Sequence, residues 1–203
     1  MDVMSQQEKM KNDFLKEVEG YILQLLYTKD LISVLKDIED LDYKLATAPN
    51  FTLITECALS DSYMLVLMRL YDKSKESKNI YSLIEKCKKN SFLFKNEKEV
   101  LSKIAEFQDE LEEDEYICHT INVLRERRDT IYAHNDSKYF GDKIEKDKTY
   151  LKTYHILILV DFTERLLTYI FSLLSSEEMN KVKYDNDLKK LFEKQSLSIN
   201  DKA

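Results

Sequence analysis

The chain has 203 residues, of which only 2 are glycine and 1 is proline. Because these residue types supply most tight turns, their scarcity argues against a protein built of β-hairpins and favours helices joined by polar loops. The formal net charge of −7 argues against a general electrostatic attraction for nucleic acid, which normally requires a basic face. The length suits a single domain, and we expect any contact with nucleic acid to be local.

The three cysteines, Cys57, Cys87 and Cys118, are widely spaced and include no Cys-x-x-Cys pair. This pattern argues against disulfides or a zinc site, so all three are interpreted as small core residues in a reducing cytosol. The N-terminus shows no signal peptide. The most apolar segment, residues 154–174, is interrupted by charges and is predicted to be a core helix rather than a membrane span. We therefore expect a cytoplasmic protein with no membrane attachment.

In the first part of the chain, from about residue 5 to 46, apolar residues recur at three- and four-residue spacing. This pattern predicts amphipathic helix, either one long helix or two joined near Thr28. Pro49 marks a stop and restart, and residues 51–72 predict a second, more apolar helix. A polar loop and a short helix are predicted next, at residues 73–79 and 80–89.

Asn96, with Glu99 three residues later, resembles a capping box and predicts the start of another helix. This helix ends in the acidic run 109–115, which is interpreted as a solvated face. Ser175 and Glu178 form a second such pair and predict a terminal helix to about residue 194. Between the acidic run and Ser175, the sequence predicts three further elements. These are a helix at residues 116–133, a polar loop at 135–148 and the core helix at 150–175.

These elements predict an all-α fold, an antiparallel bundle of about six to seven helices. The sequence contains no repeat and no linker rich in Gly, Ser or Pro, so nothing compels a domain boundary. We therefore expect one domain over residues 1–203. It would have an N-terminal helical extension at about 5–46 and a frayed C-terminal tail at about 195–203.

The segment RERRDTIYAHND, residues 125–136, holds three of the chain's five arginines within four positions. Arg128 occupies the next position of an apolar stripe traced by Ile117, Ile121 and Leu124. A buried guanidinium without partners is very costly, so Arg128 must contact a carboxylate, a phosphate or a hydrated interface. Its planar fork of donors matches the oxygens of a phosphate or a carboxylate two at a time.

His134 follows Arg128 by six residues and can accept or give a proton near neutrality. Six residues advance an α-helix by about 600°, which leaves the two side chains about 120° apart around the axis. Arg127 lies closer to the azimuth of His134. Either the helix unwinds near Ala133, or a second copy of the chain completes the site across a two-fold axis.

Structural roles are open for these residues too. An arginine near a helix C-terminus can complement the helix dipole or pair with Asp129, and a lone histidine at a helix end is often a cap. Arg125 and Arg127 are interpreted as helix-surface cations. His119 and His155 are interpreted as structural. Arg69 and Asp72 lie one turn apart on the second predicted helix. They are interpreted either as an intrahelical ion pair or as residues that brace a cleft.

The segment RRDTIYAHND resembles the motif of HEPN domains, in which an arginine and a histidine are separated by four to six residues on a helix of an all-α bundle. It is most similar to the abortive-infection U branch, with position-by-position matches at Arg128, Asp129, Ala133, His134 and Asp136. The resemblance covers about residues 15–175 and implies a HEPN-like four-helix core. Some HEPN toxins carry a tyrosine where this chain has Asp136, so control by tyrosine modification at that position is not expected.

The resemblance implies a homodimer whose two motifs meet in a cleft and cleave RNA without a metal or other cofactor. His134 would act as general base or acid on the ribose 2′-hydroxyl and the leaving oxygen, and Arg128 would stabilise the transition-state charge. The expected role is phage defence or a toxin–antitoxin system, with an antitoxin or regulatory protein as a further partner. Supporting residues would be Tyr132, Asn135, Asp136, Asp129 and Arg127.

Two other interpretations of the motif do not involve chemistry. In the first, a helical dimer binds RNA, a nucleotide or a protein and uses Arg128 as an anion clamp. The acidic net charge favours this interpretation slightly. In the second, the chain is an interaction scaffold in which Arg128 only pairs across the dimer.

Overall fold

The computed structural model describes residues 3–45, 49–74, 77–129, 151–176 and 179, and within them the protein is an all-α helical bundle without strands. This confirms the predicted fold class. The described part contains six α-helices, α1 (Val3–Leu45), α2 (Pro49–Leu70), α3 (Ile80–Lys89), α4 (Glu97–Glu113), α5 (Glu115–Arg127) and α6 (Thr153–Leu174), and a 3₁₀ turn, Ser91–Leu93.

The first predicted segment forms one long helix, α1, rather than two joined near Thr28. The Thr28 hydroxyl donates to the Gln24 carbonyl at 2.9 Å, a contact that leaves the helix continuous. α1 packs against α2 and α6. It does so through a buried stripe at three- and four-residue spacing, which includes Phe14, Val18, Tyr21, Ile22 and Leu25.

The core forms around α6, which contacts α1 and α5. Phe162 of α6 meets Phe107 of α4 edge to face, with ring centroids 6.1 Å apart. The charged residues of α6 lie towards the surface, where Glu164 pairs with Lys29 at 2.7 Å. The segment 154–174 is therefore a core helix, as predicted.

Among the described residues, α2 is the one helix long and apolar enough to cross a membrane, judged by length and composition alone. Helices in the cores of soluble proteins can meet the same criteria, so this observation carries little weight. The exposed side of α2 includes Cys57, Phe51 and Ile54.

The prediction that all three cysteines are core residues holds only for Cys87, which is buried. It is wrong for Cys57, which is exposed, and for Cys118, which is half-buried.

Among the described helices, a capping box forms at the start of α3, where none was predicted. The Asn79 side chain accepts from the Ser82 amide at 2.8 Å, and the Ser82 hydroxyl accepts from the Asn79 amide at 3.0 Å. α4 begins at Glu97, next to the predicted start. However, the Asn96 side chain donates to the Glu99 carboxylate at 3.0 Å and caps no backbone amide, so the predicted capping box there is wrong.

The acidic run 109–115 continues α4 to Glu113 and then caps the next helix. The carboxylate of Asp114 accepts from the Ile117 amide at 2.9 Å and so begins α5. The predicted loop at 135–148 and the predicted terminal helix to about 194 lie outside the described residues. The proposed division into a domain, an extension and a tail therefore stays a prediction.

Candidate functional site

The motif helix, α5, buries the stripe expected from its sequence, since Ile117, Ile121 and Leu124 are at most 4% exposed. Its α-helical part runs to Arg127 and residues 128 and 129 adopt a π-helical turn, while the predicted helix end near residue 133 lies outside the described residues. The backbone amide of Arg128 donates to the carbonyls of both Leu124 and Arg125. The bond to Leu124 is that of a regular α-helix, so the wider turn begins only at Arg128 itself, five residues before Ala133. Such wider turns often occur at functional sites.

Arg128 pairs with two carboxylates at this turn. Its Nη1 donates to Asp72 at 2.8 Å and its Nε donates to Asp129 at 2.7 Å. The side chain of Arg128 is 34% exposed, against 32% for Asp72 and 52% for Asp129. Of the predicted partners of Arg128, which were a carboxylate, a phosphate or a hydrated interface, the structure shows carboxylates, and the guanidinium is only partly buried.

Asp72 reaches Arg128 because α2 has already ended at Leu70. The predicted intrahelical pair of Arg69 with Asp72 is wrong, since Asp72 instead binds the arginine of another helix and Arg69 is exposed. One further hydrogen bond, from the Ser74 amide at 3.3 Å, fixes the Asp72 carboxylate. The other interpretation of Asp72, as a residue that braces a cleft, fits these contacts.

Tyr71, beside Asp72, anchors the end of α2 to the core. Its hydroxyl lies 2.6 Å from the Thr163 hydroxyl of α6 and 3.4 Å from the Leu159 carbonyl. Burial raises the pKa of Tyr71 well above its ordinary value, so the phenol stays neutral. Tyr71 was not among the residues predicted to form the site. The contacts make a continuous chain from α6 through Tyr71 and Asp72 to Arg128.

The two carboxylates keep Arg128 charged. Asp129, through its hydrogen bond, and then Asp72 raise the pKa of Arg128, although partial burial acts in the opposite direction. Neither ion pair uses Nη2. One edge of the guanidinium is therefore outside both pairs, while the other two nitrogens hold it in a fixed plane.

A small cavity of about 10 Å³ adjoins this pair, lined in part by Asp72, Arg125 and Arg128. A volume of this order holds roughly one water molecule. This cavity is therefore too small to hold a nucleotide.

Arg125 and Arg127 were predicted to be helix-surface cations, but both are half-buried. The Nη2 atom of Arg125 is buried and has no hydrogen-bond partner among the described residues. Several predicted site residues lie outside the described part of the chain, namely His134, Tyr132, Ala133, Asn135 and Asp136. Their positions stay predictions.

The other two histidines lie next to each other, with ring centroids 5.4 Å apart. His155 is buried, which supports a structural role, and its burial together with nearby His119 and Lys152 lowers its pKa. His119 is exposed, so it is not a core residue. Within the described ranges, no group of three or more His, Cys, Asp or Glu side chains is placed to hold a metal ion.

A comparison with protein families assigns the chain. The family model HEPN_AbiU2, described as AbiU2, matches residues 27–194, which is most of the chain and includes the whole arginine-rich motif. No curated protein and no solved structure matches the chain. The chain therefore belongs to the AbiU2 family, an abortive-infection family of the HEPN superfamily.

Proposed function

We propose that this protein is a metal-independent endoribonuclease that acts as a homodimer in the cytoplasm, in abortive infection or a toxin–antitoxin system. The observation that carries the proposal is the state of Arg128. Two ion pairs, at 2.7 and 2.8 Å, orient this arginine and leave Nη2 outside both. A guanidinium held in this way is suited to an anion that approaches from its third edge.

The proposed reaction uses the ribose 2′-hydroxyl as nucleophile. His134 accepts the proton of that hydroxyl, and the 2′-oxygen forms a bond to phosphorus while the bond from phosphorus to the 5′-oxygen breaks. The partner's His134 donates the proton that the 5′-oxygen requires. The products are a 2′,3′-cyclic phosphate and a 5′-hydroxyl, and Arg128 stabilises the negative charge on the phosphorane-like transition state.

The remaining residues of the motif support this chemistry. Asp72, anchored through Tyr71, fixes the plane of the Arg128 guanidinium, while the more exposed Asp129 holds Nε. Tyr132, Asn135 and Asp136 would orient His134 or the ribose. Two carboxylates around one guanidinium leave a local charge of about −1, so Arg128 positions a phosphate rather than attracting it from a distance.

A second candidate function is a non-catalytic dimer that binds RNA, a nucleotide or a protein partner. The observation that favours it is the same local excess of carboxylate, in a chain whose net charge is −7. This candidate predicts salt-sensitive binding with intact RNA recovered afterwards.

The two functions are separated by incubating purified protein with RNA in EDTA. The wild type should cleave RNA and leave cyclic phosphate ends. His134→Ala and Arg128→Ala should each lower the rate by at least about 10²-fold, as expected for loss of an acid–base group or a charge-stabilising donor. Arg69→Ala, which removes an exposed arginine outside the site, is the matched control.

Unchanged cleavage in both His134→Ala and Arg128→Ala would sink the ribonuclease proposal, and so would products that carry 5′-phosphates. Intact RNA after salt-sensitive binding would favour the second function. A loss of stability in Arg128→Ala with unchanged RNA affinity would instead point to a scaffold. Thermal unfolding of each variant shows whether the fold is retained.

A further inference from the structure

A larger groove shares Ile121 and Arg125 with the small cavity beside the Arg128 pair. Its volume is about 440 Å³, within the usual range of small-molecule sites. The loop after α2, the α3 helix, the end of α4 and the middle of α5 all contribute to its walls. The polar residues in its lining include Lys73, Tyr81, Glu112, Asn122 and Arg125.

Arg125 is the unusual residue of this groove. It is half-buried, and its Nη2 atom is buried without a hydrogen-bond partner among the described residues. A buried charged donor left unsatisfied is costly, and native proteins usually supply it with an acceptor. An anionic group in the groove would supply one.

The groove is locally basic in an acidic protein. Lys73 and Arg125 contribute two positive charges to its walls, and Glu112 contributes one negative charge. The Glu112 carboxylate already accepts a hydrogen bond from Gln108 at 2.9 Å. An anion in the groove therefore meets a net attraction that the Arg128 pair, with its two carboxylates, does not offer.

Tyr81 adds an aromatic wall to the same groove. The Nζ of Lys73 lies 4.8 Å from the centroid of the Tyr81 ring, so a cation and an aromatic face occur together. Burial raises the pKa of Tyr81 to about 12, although Arg125 opposes the shift, and the phenol is therefore neutral at physiological pH. Aromatic rings next to basic side chains are the usual means of holding single-stranded nucleic acid, because bases stack on the rings while cations bind the phosphates.

The groove adjoins the candidate active site. Arg125 lines both the groove and the small cavity that contains Arg128 and Asp72. Residues three apart on a helix lie about 5–6 Å from each other, which places Arg125 one step along α5 from Arg128. Lys73 directly follows Asp72 in the chain. A strand bound at Arg128 could thus extend into the groove without crossing another helix.

We propose that this groove binds the RNA nucleotide next to the cleaved bond, with its phosphate on Arg125 and Lys73 and its base against Tyr81. The inference rests on the proposed ribonuclease function, because it takes RNA as the ligand of Arg128. It assigns substrate attraction to Arg125 and Lys73, and it leaves charge stabilisation in the reaction to Arg128.

The test measures the affinity of the full-length protein for a short 2′-O-methyl RNA, which binds but has no free 2′-hydroxyl to react. Arg125→Gln should weaken binding at least about 10-fold and lower the slope of log affinity against log salt by about 1. Tyr81→Leu should weaken it by about 5- to 100-fold through lost stacking. Lys73→Ala, at an exposed position, should weaken it a few-fold without affecting folding. Arg69→Gln is the matched control and should bind like the wild type.

Unchanged affinity in both Arg125→Gln and Lys73→Ala would overturn the inference, as would equal losses in Arg69→Gln. Adenosine monophosphate and inorganic phosphate serve as separate probes in the same assay. If either binds more tightly than the RNA, the groove serves a free small anion and the RNA assignment is wrong. Failure of the wild type to cleave unmodified RNA would sink the ribonuclease proposal, but it would leave the binding losses measurable. The two failures are therefore distinguishable.

Discussion

Two arginines of this protein each pair with two carboxylates, and they do so differently. Arg165 of α6 uses all three guanidinium nitrogens: Nε donates to Asp161 at 2.9 Å, and both terminal nitrogens donate to Glu110. Arg128 uses only Nε and Nη1 in its pairs with Asp129 and Asp72. The Arg165 side chain is also the more exposed, at 45% against 34%.

The difference separates a structural arginine from a candidate functional one. Arg165 lies within a regular helix, bridges α6 to α4, and has its guanidinium carbon 5.8 Å from the centroid of the Phe162 ring. Arg128 lies at a π-helical turn, and its Nη2 takes part in neither pair. Pairing with two carboxylates is therefore not itself a mark of function. The unused donor edge at an irregular turn is the feature that distinguishes Arg128.

The largest expected effect comes from replacing each arginine by lysine and measuring RNA cleavage. Arg128→Lys should lose at least about 10²-fold in rate, because an ammonium cannot keep both carboxylates and also present a third donor edge. Arg165→Lys should stay within about 3-fold, since it removes only a surface bridge. Equal losses in the two variants would break the distinction between the two arginines.

A smaller effect is expected from the acidic partners. Asp72→Asn keeps the shape of the side chain but removes its charge, so Arg128 loses part of its orientation and kcat should fall about 10-fold, with KM nearly unchanged. Glu110→Gln changes the matching partner of Arg165 and should leave kcat and KM equal to those of the wild type within experimental error. Asp72→Glu, which restores the charge, should recover part of kcat. If kcat is unaffected in Asp72→Asn, this carboxylate does not position Arg128.

Tyr71→Phe tests the anchor beneath the site. Removing the hydroxyl breaks the 2.6 Å contact with Thr163, which should cost about 1 kcal/mol of unfolding free energy in urea titrations. Thr163 keeps its hydrogen bond to the Leu159 carbonyl at 2.7 Å, so no buried hydroxyl is left unpaired there. Cleavage should fall a few-fold, because Asp72 follows directly in the chain. An unchanged stability would mean that the anchor contributes nothing.

The smallest expected effect is on stability at Arg165 itself. Arg165→Ala should cost up to about 1 kcal/mol at low salt, since exposed ion pairs contribute little, and less at high salt because of screening. The measurement is chemical unfolding at two ionic strengths. A cost of several kcal/mol, independent of salt, would show that Arg165 is a core contact and would weaken its use as a surface reference.

Local patterns in the sequence predicted much of this structure. The stripe of Ile117, Ile121 and Leu124 follows from helical periodicity alone, and so does the intrusion of Arg128 into it. The need for an anionic or hydrated partner beside Arg128 follows from the cost of burying a charge, but which partner fills that role does not. These conclusions concern residues within a few turns of one another, where spacing determines which side chains share a face.

Contacts between distant segments were not predicted. Asp72 and Arg128 are 56 positions apart, and their pairing depends on where α2 ends and on how Tyr71 docks on α6. The half-buried position of Arg125 likewise depends on the packing of neighbouring helices, which periodicity within α5 does not describe. At Asn96 the residue types fit a capping box, but the side-chain amide donates to the Glu99 carboxylate and accepts from no backbone amide. Composition alone did not distinguish this arrangement from the true box at Asn79.

The π-helical turn at residues 128 and 129 also changes how the length of the motif should be understood. A π-turn is equivalent to one residue inserted into an α-helix, so the turn-by-turn angles of a regular helix apply to α5 only as far as Arg127. The angular gap of about 120° calculated between Arg128 and His134 assumes an unbroken helix, and that assumption fails at its first residue. The calculated gap therefore does not by itself require a second copy of the chain to complete the site.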